Sequence, residues 1–87
     1  MDNMDKGSLE QILVENDFSK VARLVLYTLF TYQDKNGSSI ASYATIAKLC
    51  GIHSNTSISK AIKELETCEI ITVTKRAYNS NVYSFIL

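Results

Sequence analysis

Apolar residues along this 87-residue chain recur first at helical and then at strand spacing. Leu9, Ile12 and Leu13 predict a short helix over Ser8–Val14. A longer helix follows over residues 20–33, with Ser19 as its N-cap. Val21, Leu24, Val25, Thr28 and Tyr32 form one stripe along it, and Ala22, Leu26 and Phe30 form a second. A helix apolar on two sides is buried on both, or buries one side against a partner chain. Asp34-Lys35-Asn36-Gly37 has turn chemistry, and Ser38–Ala41 reads as a short strand. Ser42 caps a third helix whose face is Tyr43, Ile46, Ala47 and Cys50, and Gly51 stands where a left-handed residue closes a helix. Ser54 or Asn55 caps a fourth helix, 55–67, in which Ile58, Ala61, Ile62 and Leu65 sit at i, i+3, i+4 and i+7. Finally, β-branched and aromatic runs at Ile70–Thr74 and Asn81–Leu87 predict a hairpin with a polar, basic tip at Lys75–Ser80. The fold class is α+β, mainly α. An acidic N-terminal segment, 1–17, precedes a helix-then-hairpin domain, 18–87.

Composition narrows the function classes. A hydrophobic content of 46% with three glycines and no proline suits one small core and excludes a disordered or linker-like chain. No apolar run approaches the ~20 residues of a membrane span, and the acidic start is not a secretory signal, so the expected setting is the reducing cytoplasm. Cys50 and Cys68, eighteen positions apart, make neither a disulfide framework nor a zinc site. The chain has no glycine-rich phosphate loop, carboxylate pair or nucleophile–base constellation, so neither catalysis nor a cofactor nor a small-molecule ligand is expected.

Net charge is zero, yet its distribution is uneven. Residues 1–17 carry five acids against Lys6, whereas residues 18–87 carry eight basic residues against four acids. Between Lys35 and Lys63 there is no acid. A neutral chain built this way can still present a basic face, the alternative being ordinary solvated surface charge.

The fourth helix points to a use for that face. At ~100° per residue, Thr56, Lys60, Lys63 and Thr67 lie opposite Ile58, with Ser59 on the flank. Glu64 and Glu66 fall towards the sides. An α-helix fits the major groove of duplex DNA, its N-terminal residues reaching base edges while lysines pair with phosphates. The candidate DNA-contacting residues are His53, Ser54, Asn55, Thr56, Ser57, Ser59, Lys60 and Lys63, joined by Lys75, Arg76 and Tyr78 of the hairpin tip. The competing reading is a protein-interaction module, favoured by zero net charge and by Glu64, Glu66 and Glu69 around this helix.

Four stretches, SYATIAKLCGI, SISKAIKELE, EIITVTKR and NSNVYSF, together resemble the winged helix-turn-helix domains of plasmid and phage replication initiators and related small regulators. The resemblance covers about Ser19 to Phe85. It implies that Ser42–Cys50 is the first helix of the motif, Asn55–Thr67 the recognition helix and Lys75–Ser80 the wing. Two departures stand out. The family usually has glycine just after the recognition helix, where this chain has Glu69. The turn between Gly51 and Ile58 is one residue longer, which leaves the family's threonine position between Thr56 and Ser57. The expected function is sequence-specific binding of double-stranded DNA, by a small regulator of a mobile element or by the DNA-binding part of a replication initiator. A homodimer through the N-terminal segment and helix 20–33 would match a palindromic site.

Overall fold

A computed structural model describes residues 3–76 and 80–86. Four helices and three strands follow one another as α1 (Lys6–Glu15), α2 (Lys20–Tyr32), β1 (Ser38–Ala41), α3 (Tyr43–Cys50), α4 (Asn55–Thr67), β2 (Ile71–Lys75) and β3 (Asn81–Phe85). Each helix begins at a short polar side chain that accepts a backbone N–H three residues on: Asp5 from Ser8, Ser19 from Ala22, Ser42 from Thr45 and Ser54 from Ser57. This settles the start of α4 on Ser54 rather than Asn55. The first helix begins two residues earlier than its apolar spacing predicts, because the Asp5 cap is a polar signal that hydrophobic periodicity does not register.

The helix ends follow local rules as well. Gly51 adopts φ 71°, while the Ile52 and Gly51 N–H groups return to the Ala47 and Lys48 carbonyls and close α3. Asp34 builds the turn after α2. Its carboxylate accepts the N–H groups of Asn36 (2.8 Å) and Ser38 (3.0 Å), and Gly37 follows at φ 79°. These two backbone bonds, that from Ser38 foremost and then that from Asn36, hold the Asp34 carboxyl below its ordinary range.

The strands form one antiparallel sheet in the order β1-β3-β2. Ser39 pairs with Tyr83 on one side of β3, and Val73 pairs with Tyr83 on the other. One face of the sheet is buried through Ser39, Ile71, Asn81, Tyr83 and Phe85. It closes a single core with Val25, Leu26 and Leu29 of α2, Ile46 of α3, and Ile58, Ile62 and Leu65 of α4. Met4 and Leu9 belong to the same core, with Ile12 and Leu13 packed against it. The backbone of Met4 exchanges two 2.8 Å hydrogen bonds with the Gln33 amide, which ties the N-terminal segment to the end of α2.

Two expectations are corrected. Helix α2 buries Ala22, Val25, Leu26 and Leu29, a face lying between the two stripes of the periodicity reading, and leaves Leu24 and Tyr32 exposed. The hairpin tip is shorter than Lys75–Ser80. Lys75 lies in β2 opposite Asn81, and the Arg76 N–H donates to the Ser80 carbonyl (2.8 Å), so the ladder runs past residues whose side chains suggested a loop. Backbone pairing in a hairpin does not depend on side-chain polarity.

Candidate nucleic-acid interface

Helix α4 is anchored by Ile58, Ala61, Ile62 and Leu65, all buried, which turns Thr56, Lys60, Lys63 and Thr67 to solvent. Ser59 is half-buried on the flank. In the first turn, Ser54 Oγ accepts the Ser57 N–H (3.2 Å), and Asn55 and Thr56 are exposed while Ser57 is half-buried. Thr56, not Ser57, is therefore the outward hydroxyl at the position the longer turn left open. His53 and Ser54 are exposed just ahead of it, and Lys75 and Arg76 are exposed at the hairpin. Tyr78 lies outside the described residues.

Of these exposed and flanking side chains, His53, Asn55, Ser59, Lys63, Lys75 and Arg76 border three adjoining depressions, whereas Ser54, Thr56, Ser57, Lys60 and Thr67 line none of them. The largest, about 720 Å³, lies between the first turn of α3 and the hairpin, lined by Ser42, Tyr43, Ala44, Asn55, Lys75, Arg76 and Asn81. A second, about 270 Å³, shares Ala44 and Asn55 with it and brings Lys48 beside His53. A third, about 320 Å³, shares Tyr43 and Lys75 with the first and places Ser59, Lys63 and Glu66 along α4 opposite Val73. Lys48, Lys63, Lys75 and Arg76, which come from three separate elements, thus border one connected surface. Lys60 stands one turn before Lys63–Glu64 on the outer side of α4.

Residues not anticipated from the sequence are Ser42, Tyr43, Ala44, Lys48 and Asn81. Ser42 Oγ takes the Thr45 N–H (3.1 Å), so the N–H groups of Tyr43 and Ala44, at the start of α3, have no intrahelical acceptor. They add partial positive charge at the mouth of the largest depression. Asn81 is buried beneath it and donates through Nδ2 to Tyr83 Oη (2.9 Å). Residues two apart on a strand share a face, so Asn81 and Tyr83 of the S-N-V-Y run form an internal brace at the base of the hairpin. Burial of Tyr83, 2% exposed, pushes its hydroxyl above the ordinary tyrosine range, the Asn81 bond acting against that rise. The helical spacing that flags α4 says nothing of α3's first turn, since only the tertiary placement of the hairpin brings it to the same surface.

Glu64, an acid that weighed towards the interaction-module reading, has another partner. Its carboxylate accepts both the backbone N–H and the hydroxyl of Ser19, each at 2.9 Å. Glu66 alone among the α4 acids faces the hairpin-side depression.

Among the described residues, no group of three or more His, Cys, Asp or Glu side chains is placed to hold a metal ion. No described helix is long and apolar enough to cross a membrane.

Two helices joined by a tight turn at Gly51, followed at once by a β-hairpin beside the second helix, define a winged helix-turn-helix domain. The model of the helix-turn-helix domain family matches residues 16–71, and the chain belongs to that family, a class of DNA-binding domains. No curated protein and no solved structure matches it.

Proposed function

We propose that the protein binds double-stranded DNA sequence-specifically and acts as a small transcriptional regulator of a plasmid, phage or other mobile element. The observation that carries this reading is the connected surface on which α4 and the hairpin bring Lys63, Lys75 and Arg76 together with the free amide end of α3. Helix α4 enters the major groove, with Asn55, Thr56, Ser57 and Ser59 offering short hydrogen-bonding groups to base edges. Lys60 and Lys63 pair with phosphates, and His53 and Ser54 border the entry. The depression between α3 and the hairpin seats the sugar–phosphate strand. Helix amide groups and two cations on opposite walls are the usual means of holding an oxyanion. A homodimer doubles this small footprint and matches a palindromic operator. The resemblance that supports a mobile-element role is shared with replication initiators, and DNA recognition is common to both roles.

The test is the pair Lys60→Glu and Lys63→Glu, measured for duplex affinity beside a circular-dichroism melt. Both lysines are exposed on α4, so the melting temperature should stay within about 4 °C for each substitution, in line with surface positions. Affinity should fall by more than about tenfold, with the salt slope reduced by about 2. Unchanged affinity with the fold intact would contradict readout by α4 and favour a protein-interaction role.

A further inference from the structure

The surface that carries a second inference lies where α2, β1 and α3 meet. A groove of about 320 Å³ runs there, lined by Thr28, Tyr32, Ile40, Ala41, Thr45 and Leu49 among others, with no charged residue in its lining. Ile40 is 61% exposed, Tyr32 59% and Leu49 47%, so three large apolar side chains stand in water around one hollow. Leu24, one turn before Thr28 on the same side of α2, is also exposed. The α1 residues Leu9, Ile12 and Leu13 pack on their own core and are not available to a partner in the same way.

The backbone at this groove is self-complementary. Strand β1 is an edge of the sheet. Phe85 N–H donates to the Gly37 carbonyl, while the Gly37 N–H returns to Asp34, and Ser39 and Ala41 stand opposite Tyr83 and Asn81, so Ser39 and Ala41 turn their amides inward to β3. Alternation then turns the amides of Ser38 and Ile40 outward. Those of Ser38 are already used, its carbonyl by the Asp34 N–H (2.8 Å) and its N–H by the Asp34 carboxylate (3.0 Å). Ile40 is left with one N–H and one C=O on the open edge. Ser42 and the start of α3 bound this edge at one end and the Asp34 turn bounds it at the other. The opening is too short for an extended peptide to gain more than two ladder bonds, and a two-fold axis at Ile40 supplies both.

We propose that this surface pairs with a second copy of the chain, β1 against β1 antiparallel, Ile40 opposite Ile40 of the partner, the two apolar grooves closing over Tyr32 and Leu49. An isologous contact needs knob and hollow on one patch, as found here. Helix α3 keeps the contact clear of the basic surface, because Thr45 and Leu49 line the groove while Ala44 and Lys48 line the depression beside His53. The proposal gives the dimer of the preceding reading its surface, and moves it from the N-terminal segment and helix α2 to β1, α3 and the C-terminal half of α2. The exposed parts of Leu24, Tyr32, Ile40 and Leu49 supply roughly 400 Å², about half of the ~800 Å² per partner of a stable interface, so the dimer is weak in free solution and is reinforced when two half-sites hold both copies.

The experiment uses the full chain without DNA. Sedimentation velocity from about 5 to about 500 µM should show a reversible monomer–dimer equilibrium in the upper part of that range. Ile40→Lys puts a solvated charge on the edge at an already exposed position, and should weaken association at least about tenfold with the melting temperature held. Val14→Lys, at a position 85% exposed and outside the groove, should leave association as it is. Ile40→Cys should give an intermolecular disulfide under mild oxidation, since directly opposed residues of an antiparallel pair stand about 5.5 Å apart, within disulfide reach. A monomer throughout the range, or a dimer indifferent to Ile40→Lys that forms no such cross-link, would overturn the proposal. Because the readout is association alone, failure of DNA binding would leave it standing, and failure of association would leave DNA recognition by α4 standing.

Discussion

Glu69 sits at φ 61°, where a side chain crowds its own backbone, and it is the one described non-glycine residue with positive φ. It closes α4: the Glu69 N–H returns to the Glu66 carbonyl and the Ile70 N–H to the Leu65 carbonyl, each at 3.0 Å. Bonds of the same pattern close α3 with Gly51, so the geometry is the one glycine favours and only the residue differs. Relief of about 1–2 kcal/mol of left-handed strain, less the ~0.4–1 kcal/mol that glycine adds to the unfolded chain's entropy, sets the expectation for Glu69→Gly. Stability should rise by roughly 0.5–1 kcal/mol, a shift of about 2–8 °C in a thermal melt. A lower melting temperature would show that the Glu69 side chain contributes more than its backbone costs.

The Asp34 turn makes a pH prediction at the same scale. Its carboxyl is held below the ordinary aspartate range in the folded chain, so the native state binds fewer protons than the unfolded one in that window. The contribution is therefore present above the unfolded value and is lost as pH falls through the folded one. Asp5 acts in the same direction through its bond from the Ser8 N–H. Urea denaturation of Asp34→Asn between about pH 5 and pH 2 should show a flatter loss of stability than the parent chain. An unchanged acid limb would mean that the two backbone bonds do not hold the charge.

Between elements, the Ser19–Glu64 pair joins the start of α2 to the last turn of α4. Ser19 caps α2 and also donates to Glu64, so Glu64→Ala removes the acceptor of two groups, at a cost of roughly 1 kcal/mol. A double-mutant cycle with Ser19→Ala should give a coupling of about 0.5–1.5 kcal/mol, while strict additivity would show that the two helices are held only by their apolar faces. The elements themselves were readable in the residue pattern: Ile58, Ala61, Ile62 and Leu65 specify both α4 and the side it buries. The buried side of α2 was not readable in the same way. Apolar residues surround most of that helix, and the choice of Ala22, Val25, Leu26 and Leu29 is made by what packs on it. The extent of the hairpin was hidden for a different reason, because Lys75 and Arg76 pair through backbone groups while their side chains read as loop.

At the scale of the molecule, the core separates two surfaces that share α3. Ser42, Tyr43, Ala44 and Lys48 join the basic surface, while Thr45 and Leu49 face the apolar groove. The α4 half of the basic surface follows from helical angles; the α3 half exists only once the hairpin is placed beside it. Zero net charge conceals this arrangement, since five of the nine acids lie within residues 1–17. Four cations, Lys48, Lys63, Lys75 and Arg76, border the proposed DNA surface, with Glu66 as the described acid lining it, while Lys60 stands outside it in a depression shared with Glu64. Glu66→Gln removes that one repulsive charge and should tighten binding to a random duplex a few-fold, roughly as expected for one surface charge near a polyanion. An unchanged or lower affinity would place Glu66 away from the DNA backbone or in contact with a base.

The central claim is most directly tested by fluorescence anisotropy of the full chain on a random duplex and on the duplex upstream of its own gene, across a salt series. If about three to five phosphates are neutralised, log K should fall with log[salt] at a slope of about −3 to −4.5, with the upstream duplex bound more tightly at every salt. No binding to either duplex at low salt would contradict the assignment of α4 and the hairpin to DNA.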